Sequence, residues 1–293
     1  MEQRVAKQRR TARQEGQAPA AAPFLKWAGG KRALLDQYSP FFPERAATYF
    51  EPFVGSGAVF FHLRGRGFAE HYLLSDANHD LINVYRVVQD DIETLIEHLR
   101  AHRAAHNEDH YYRVRAQDRN GYDHLAGVDR AARMIYLNRT CYNGLWRVNR
   151  QGHFNVPMGK YRNPRIVNEH RLRAASAALR GVRLCAEDFA NAVREAHPGD
   201  FVYFDPPYVP LSATASFTSY YADDFTIAEQ RRLADTFRDL DRRGVQAMLS
   251  NSDHPLVWEL YAGFRIERVS ARRAINRDAG KRGPVSEVLV LNY

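Results

Sequence analysis

Cysteine is scarce: Cys141 and Cys185 are the only two in 293 residues. They form no CxxC pair, which points to a reducing cytosol and to packing roles for both. Long apolar runs are missing as well. No stretch of about 18 apolar residues exists, so neither a transmembrane helix nor a membrane partner is expected. The first 22 residues, MEQRVAKQRRTARQEGQAPAAA, hold no apolar signal core and read as a flexible basic tail. No internal repeat stands out. Acidic residues are outnumbered, 34 against 42 Lys and Arg, for a formal net charge of +8. The imbalance sits in one place: residues 100–173 hold fifteen Arg or Lys and six Asp or Glu, a net of +9. Such a segment on a near-neutral body is the electrostatic footprint of a polyanion partner. A solvated, arginine-rich helical face is the plainer alternative. Aromatic and Asn side chains interleaved among the arginines favour nucleic acid.

Core-forming material is plentiful, with 45% hydrophobic residues, 16 Tyr and 16 Phe. The length suits one large domain, or one domain carrying an insert. Strand-like runs lie at 47–53, 71–76, 201–205 and 245–251, with later ones at 264–269 and 287–293. Helical periods separate them, as in AVFFHLRGRG and IAEQRRLADTFRDLDRRG. The alternation predicts an α/β fold with a mostly parallel, doubly wound sheet. Residues 84–173 break that rhythm with helical periods at 91–103 and 128–139 and a loop-and-hairpin pattern at 142–161. This is also the charged segment. It reads as an inserted, largely helical recognition module.

YFEPFVGSGAVF, residues 49–60, is a strand, a glycine turn and a helix start. Gly55 and Gly57 let the backbone turn tightly and approach a ligand. Asp76 ends the next strand, 19 residues after Gly57, where an acid can accept from ribose hydroxyls. The turn has neither the third glycine of the dinucleotide pattern nor the Lys-Ser/Thr of a P-loop. An adenosine-type cofactor without pyrophosphate fits better, with S-adenosylmethionine foremost; a purely structural βα turn is the alternative. Just upstream, FLKWAGGKRALL (24–35) sets Trp27 and Lys31 around two glycines. Trp27 either stacks on a ligand or plugs the core edge.

FVYFDPPYVPLSA, residues 201–213, is a buried strand that stops on a carboxylate, two prolines and a tyrosine. Open α/β sheets build sites at such carboxyl ends. Asp205 can accept one N–H of an exocyclic amine, and the Pro206 carbonyl, aimed by a fixed φ, the other. Two acceptors free the nitrogen lone pair for attack on a sulfonium methyl and stabilise the charge that develops. Tyr208 offers a ring for a base to stack on. A base inside a duplex reaches such a pocket only when flipped out. The chemistry asks for no metal. The segment behind it, VPLSATASFT (209–218), has the look of a lid.

Three weaker patterns remain. His102, His106 and His110 are spaced i, i+4, i+8, as on one helix face, and a solvated or phosphate-facing stripe is expected rather than a metal site. SNSDH (250–254) leads into a helix with Asp253 as the expected cap. ARRAINRDAGKRGP (271–284) is a basic loop that either touches DNA phosphates or stays solvated.

Taken in order, PFLKWAGGK, FEPFVGSGAVF, the Asp of LLSDAN, LNRTCYNGLWRVNRQGHFNVPMGKY, YFDPPYVPLSATASFTSY, LSN and RRAINRDAGKRGPVSEVL resemble the Dam-type, D12 class DNA adenine-N6 methyltransferases. The resemblance spans about residues 23–293. It implies a Rossmann-like class I methyltransferase sheet over 23–83 and 174–293, with a target-recognition domain inserted at 84–173 and the tail at 1–22. It implies S-adenosylmethionine held by Trp27, Lys31, Asp76 and Asp205, with Asp188 and Phe189 of AEDFA cradling the adenine. The catalytic tetrapeptide falls on Asp205, Pro206, Pro207 and Tyr208. In the family the YNGL-x-R segment reads the target, commonly GATC. Here that is Tyr142, Asn143, Leu145 and Arg147, with Lys26 as a second guanine contact. Arg147 suits guanine O6 and N7 through a bidentate fork. The implied partner is double-stranded DNA, met by a monomer in the cytoplasm and nucleoid, and a cognate restriction endonuclease is a compatible companion. Two rival readings are a methyltransferase acting on RNA or a protein amide, and a catalytically silent DNA-binding protein.

Overall fold

The computed structural model describes residues 21–119, 122–211, 225–272 and 284–293. The basic tail up to residue 20, positions 212–218 of the lid segment and positions 273–283 of the basic loop lie outside the described residues.

Seven strands form one sheet: β1 (Ala46–Glu51), β2 (Ala69–Asp76), β3 (Arg183–Ala186), β4 (Phe201–Phe204), β5 (Gln246–Ser252), β6 (Arg265–Arg272) and β7 (Pro284–Leu291). Their order is β3-β2-β1-β4-β5-β7-β6. The first five are parallel, and β7 runs antiparallel between β5 and β6. The mostly parallel α/β sheet expected from the sequence is present. β4 lies at the centre, and all four of its residues are buried. A strand covered on both faces carries an unbroken apolar run, which is why FVYF is so legible. The edge strand β3 was not among the strand-like runs. Four residues, RLCA, with one of them exposed, make too short a pattern to register.

Among the described residues, the helices of six residues or more are α1 (Ala58–Arg64), α2 (His79–Asp90), α3 (Ile92–Ala104), α4 (Glu108–Ala116), α5 (Gly127–Thr140), α6 (Glu169–Leu179), α7 (Ile227–Arg242) and α8 (Pro255–Leu260). Asn or Thr side chains cap four of them. Asn78, Asn107, Asn168 and Thr226 each accept from a backbone N–H three residues on. α5 is buried over most of its length and packs against α2, α3 and α4. One apolar cluster runs from Tyr49 and Leu74 of the sheet through Val84 and Leu95 to Met134 and Phe154. A second, built on Val202, Phe204, Phe237 and Val257, fills the space beneath α7. Residues 84 and 174, the edges expected for the insert, fall inside α2 and α6, which pack on each other. The helical segment therefore shares its core with one face of the sheet.

Two local expectations are corrected. His102, His106 and His110 do not share a helix face, because α3 ends at Ala104 and α4 begins at Glu108. They gather around Tyr136 of α5 instead. His102 stacks on that ring at 4.8 Å, His106 Nδ1 lies 2.9 Å from its hydroxyl, and His102 Nδ1 lies 3.0 Å from His110 Nε2. Burial, then the neighbouring histidines, push His102 down to about 4, so it is a neutral packing residue at neutral pH. Nor does Asp253 cap α8. His254 does so, its Nδ1 accepting from Leu256 N at 3.1 Å. Asp253 accepts from Trp258 Nε1 at 2.7 Å and Arg268 Nε at 2.8 Å.

β1 ends on Glu51, which is 2% exposed and accepts from the Tyr49 hydroxyl at 2.8 Å. Burial pushes its carboxyl up to about 8, against the opposing pull of the Tyr49 bond. The folded state then holds a proton that the unfolded chain, near 4.5, releases. Stability should fall as pH rises from about 4.5 through about 8. Glu51→Gln should flatten that slope, as read from urea unfolding midpoints across the interval; an unchanged slope would count against Glu51 as its source.

Candidate active site

The carboxyl ends of the parallel strands stand side by side. Asp188 follows β3, Asp76 ends β2, the glycine turn follows β1, Asp205 follows β4, and Ser250 lies near the end of β5. Parallel strands put all these ends on one edge, so residues far apart in sequence meet there.

Lys31 links the N-terminal loop to that edge. Its side chain is 4% exposed, and Nζ lies 2.8 Å from Asp205 Oδ1, donates to Gly29 O at 2.6 Å and sits 4.6 Å from the centre of the Tyr208 ring. Ser250 Oγ donates to the same Asp205 oxygen at 2.8 Å. Oδ1 thus takes two donors, while Oδ2 accepts no hydrogen bond among the described residues. The prolines show the same division. Pro207 O accepts from Gln230 Nε2 at 2.8 Å, whereas the Pro206 carbonyl has no donor among the described residues. Val209 N donates to Asn251 Oδ1 at 3.1 Å, and Asn251 Nδ2 donates to Gln230 Oε1 at 3.2 Å. Gln230 and Asn251 are both buried. The bend after β4 is therefore fixed by Gln230 and Asn251, while Asp205 Oδ2 and the Pro206 carbonyl take no donor among the described residues. Tyr208 donates to Glu287 Oε2 at 2.8 Å.

The glycine turn serves packing as much as approach. Gly55 has φ +47°, and a Cβ there would come within 2.8 Å of Trp27 Cδ1. Gly57 has φ +68°, and a Cβ there would come within 2.8 Å of the Tyr85 hydroxyl. Trp27 is thus pressed onto Gly55. Tyr85 donates to Gly55 O at 3.0 Å. Asp76 is half-buried, its two oxygens accepting from Gly55 N at 3.3 Å and Asn78 N at 3.0 Å. Burial still outweighs those bonds and pushes its carboxyl up to about 6. On the other flank, Asp188 accepts from Ala190 N at 2.9 Å and holds Arg232 bidentately at 2.7 and 2.6 Å. Arg232 lies 4.1 Å over the Phe189 ring, whose neighbour Phe53 stacks at 5.4 Å.

Lys26, five residues before Lys31, reaches the helical segment. Its N–H donates to Asn138 Oδ1 at 2.8 Å, and Asn138 Nδ2 donates back to Lys26 O at 2.6 Å and to Gly144 O at 3.0 Å. Lys26 Nζ sits 4.3 Å from the centre of the Tyr161 ring. Asn143 and Gly144 both adopt left-handed φ, 55° and 67°, a conformation that Asn and Gly tolerate best. Tyr142 is 52% exposed beside them. Arg147 Nε donates to Asn155 Oδ1 at 2.6 Å across the following hairpin, where Val148 pairs with Phe154. The structure thus joins Lys26 to the Tyr142–Leu145 turn, and Lys31 to Asp205 and Tyr208.

The model of the D12 class N6 adenine-specific DNA methyltransferases matches residues 27–275. The chain belongs to this family. It is 44% identical to the Type II methyltransferase M1.LlaDCHI of Lactococcus lactis subsp. cremoris, over 92% of this chain and 95% of that one. It is 42% identical to the Type II methyltransferase M.MjaIII of Methanocaldococcus jannaschii, over 92% and 99%. It is 36% identical to the DNA adenine methylase of Escherichia coli K12, over 92% and 94%. The protein is an enzyme that methylates adenine in DNA, and its family implies S-adenosylmethionine as methyl donor.

Sequence reasoning did not single out Ser250, Gln230, Asn251 or Glu287. Ser250 and Asn251 lie in LSN and Glu287 in PVSEVL, both noted only as parts of a pattern. Two tests follow from the turn and its acid. We propose that Asp76 holds S-adenosylmethionine; below about pH 6 it gains a proton and loses acceptor capacity, so affinity should weaken from pH 8 to pH 5. Calorimetric titration of Asp76→Asn should show weaker binding with that pH dependence gone; a slope like that of the unaltered protein would clear Asp76 of the effect. Gly57→Ala should lose about 1–3 kcal/mol of stability from the left-handed φ and the Tyr85 contact, measured by chemical denaturation.

Proposed function

We propose that the enzyme takes an adenine flipped out of duplex DNA and methylates its N6, within GATC. The observation that carries this reading is the division of acceptors at the end of β4: Asp205 Oδ1 and Pro207 O are occupied, while Asp205 Oδ2 and the Pro206 carbonyl take no donor among the described residues. An exocyclic amine has two N–H bonds and a lone pair drawn into its ring. Acceptors on both N–H bonds favour tetrahedral nitrogen and free that pair. Lys31 and Ser250 keep Asp205 turned so that Oδ1 is occupied, and Gln230 does the same for the second proline. Tyr208 supplies the face on which the base stacks.

The residues at the strand ends fit the implied donor. Asp76 offers a carboxylate to ribose hydroxyls, Phe53 and Phe189 form an aromatic wall, and Trp27 lines the glycine turn. The donor brings an electrophilic sulfonium methyl. The chain's part is to hold amine and methyl in line and to stabilise positive charge on nitrogen through Asp205. No metal enters this scheme. We assign residues 84–173 to target recognition. Within them the Tyr142–Leu145 turn and Arg147 face the bases and Asn155 sets the plane of the Arg147 guanidinium, while Lys26 assists from the N-terminal loop.

Tritiated methyl transfer to duplexes that differ at single positions tests the reading. Label should appear in adenine of GATC duplexes and not in cytosine, RNA or protein. Asp205→Ala should abolish transfer with DNA binding retained; persistent turnover in that variant would remove Asp205 from its role. Arg147→Ala should relax discrimination at one guanine by about 1–3 kcal/mol, and equal discrimination before and after would sink that assignment.

A further inference from the structure

Tyr208 is held at its hydroxyl as well as along its face. The O–H donates to Glu287 Oε2 at 2.8 Å, and the same oxygen accepts from the Tyr38 hydroxyl at 3.3 Å. Glu287 lies on β7, opposite Ser252 of β5 and Val269 of β6. Tyr38 is fully buried and ends the short helical turn Leu35–Tyr38, which begins four residues beyond Lys31. One carboxylate oxygen therefore ties the antiparallel strand to the tetrapeptide and to the segment that carries Lys31. Burial first, and nearby charges including Glu287 after it, hold Tyr208 well above the usual phenol range, so its hydroxyl remains a donor.

A phenol that donates to a carboxylate makes a charge-assisted bond, stronger and more directional than a neutral one. It fixes the plane of the ring. It also draws the phenolic proton outward and leaves more electron density on the ring face, the face that Lys31 Nζ already approaches at 4.6 Å. An amine acquiring positive charge against the opposite face of the ring meets the same attraction.

We propose that Glu287 is a positioning residue for methyl transfer, acting through the Tyr208 hydroxyl. This rests on the reading of Asp205 to Tyr208 as the amine-holding segment. Glu287 does not touch the reacting atoms; it sets the orientation and electron density of the ring that does.

The experiment compares Glu287→Gln, Tyr208→Phe and the double variant in single-turnover methylation of phage DNA free of adenine methylation, at saturating S-adenosylmethionine. Each single variant should slow the transfer step by about tenfold, the scale of one charge-assisted hydrogen bond. The double variant should be no slower than the slower single one, because both remove the same bond. S-adenosylmethionine affinity should stay within about twofold of the unaltered protein, which a general loosening of the sheet would not allow. Full rate in Glu287→Gln, or multiplied losses in the double variant, would overturn the proposal. Tyr208→Phe leaves β7 untouched, so full rate in that variant overturns it even where Glu287→Gln folds poorly. Turnover by Asp205→Ala would strike the parent reading instead. A dead Asp205→Ala beside a fully active Glu287→Gln would strike this inference alone.

Discussion

Lys31 carries a full positive charge into a position where its side chain keeps 4% of its exposure. Removing such a charge from water costs several kcal/mol unless partners compensate. The partners are Asp205 Oδ1, the Gly29 carbonyl and the face of Tyr208. Each is demanding. Gly29 must present its carbonyl from a left-handed turn, φ 76°. Asp205 must stand where β4 leaves the sheet, and Tyr208 must lie three residues further on, past a bend that two prolines and Gln230 hold. The ion pair thus dictates how the loop at residues 24–31 and the end of β4 meet, and the rest of the site is arranged around that junction.

Features with a local cause were legible in the sequence. β4 could be read from FVYF because both its faces are covered, and its end from the prolines that cannot continue a ladder. The glycine turn could be read because left-handed φ at Gly55 and Gly57 leaves little choice of residue. Asp76 could be marked because it ends a strand at a telling distance. The reason for the glycines was only half visible. Spacing suggested room for a ligand, yet the volume a Cβ would need is claimed by Trp27 and by the Tyr85 hydroxyl.

What stayed hidden depends on tertiary neighbours. Ser250 looked like one polar residue near a strand end; its partner Asp205 is 45 positions away. Gln230 sits on an amphipathic helix where a polar residue draws no notice, and only the fold turns it inward to Pro207. The histidines misled for the opposite reason. Their spacing imitates one helix face, but the helix stops at Ala104 and a new one begins at Glu108, which puts them on separate elements around Tyr136. A periodic pattern is informative only while the helix that would carry it is continuous. At Asp253 two rules competed. Asp is a good cap, but Trp258 and Arg268 offer it stronger partners, and His254 takes the cap instead.

The loop that bears Lys31 also bears Lys26, and the two lysines face different tasks. The Lys26 backbone N–H and C=O both bond the Asn138 side-chain amide, and Asn138 in turn holds Gly144 of the left-handed turn. Lys31, five residues on, holds Asp205. Five residues span at most about 18 Å when fully extended, and this stretch is shortened by a turn, with Gly30 N bonded to Trp27 O at 3.3 Å. A displacement of the Tyr142–Leu145 turn therefore has a short, hydrogen-bonded route to the carboxylate. On the proposed reading, the turn that meets the wrong bases strains the same loop that orients Asp205. Discrimination would then appear in the rate of the chemical step as well as in DNA affinity. Two independent modules joined by a flexible linker would confine discrimination to affinity, and the core shared by α2, α5 and the sheet argues against that arrangement.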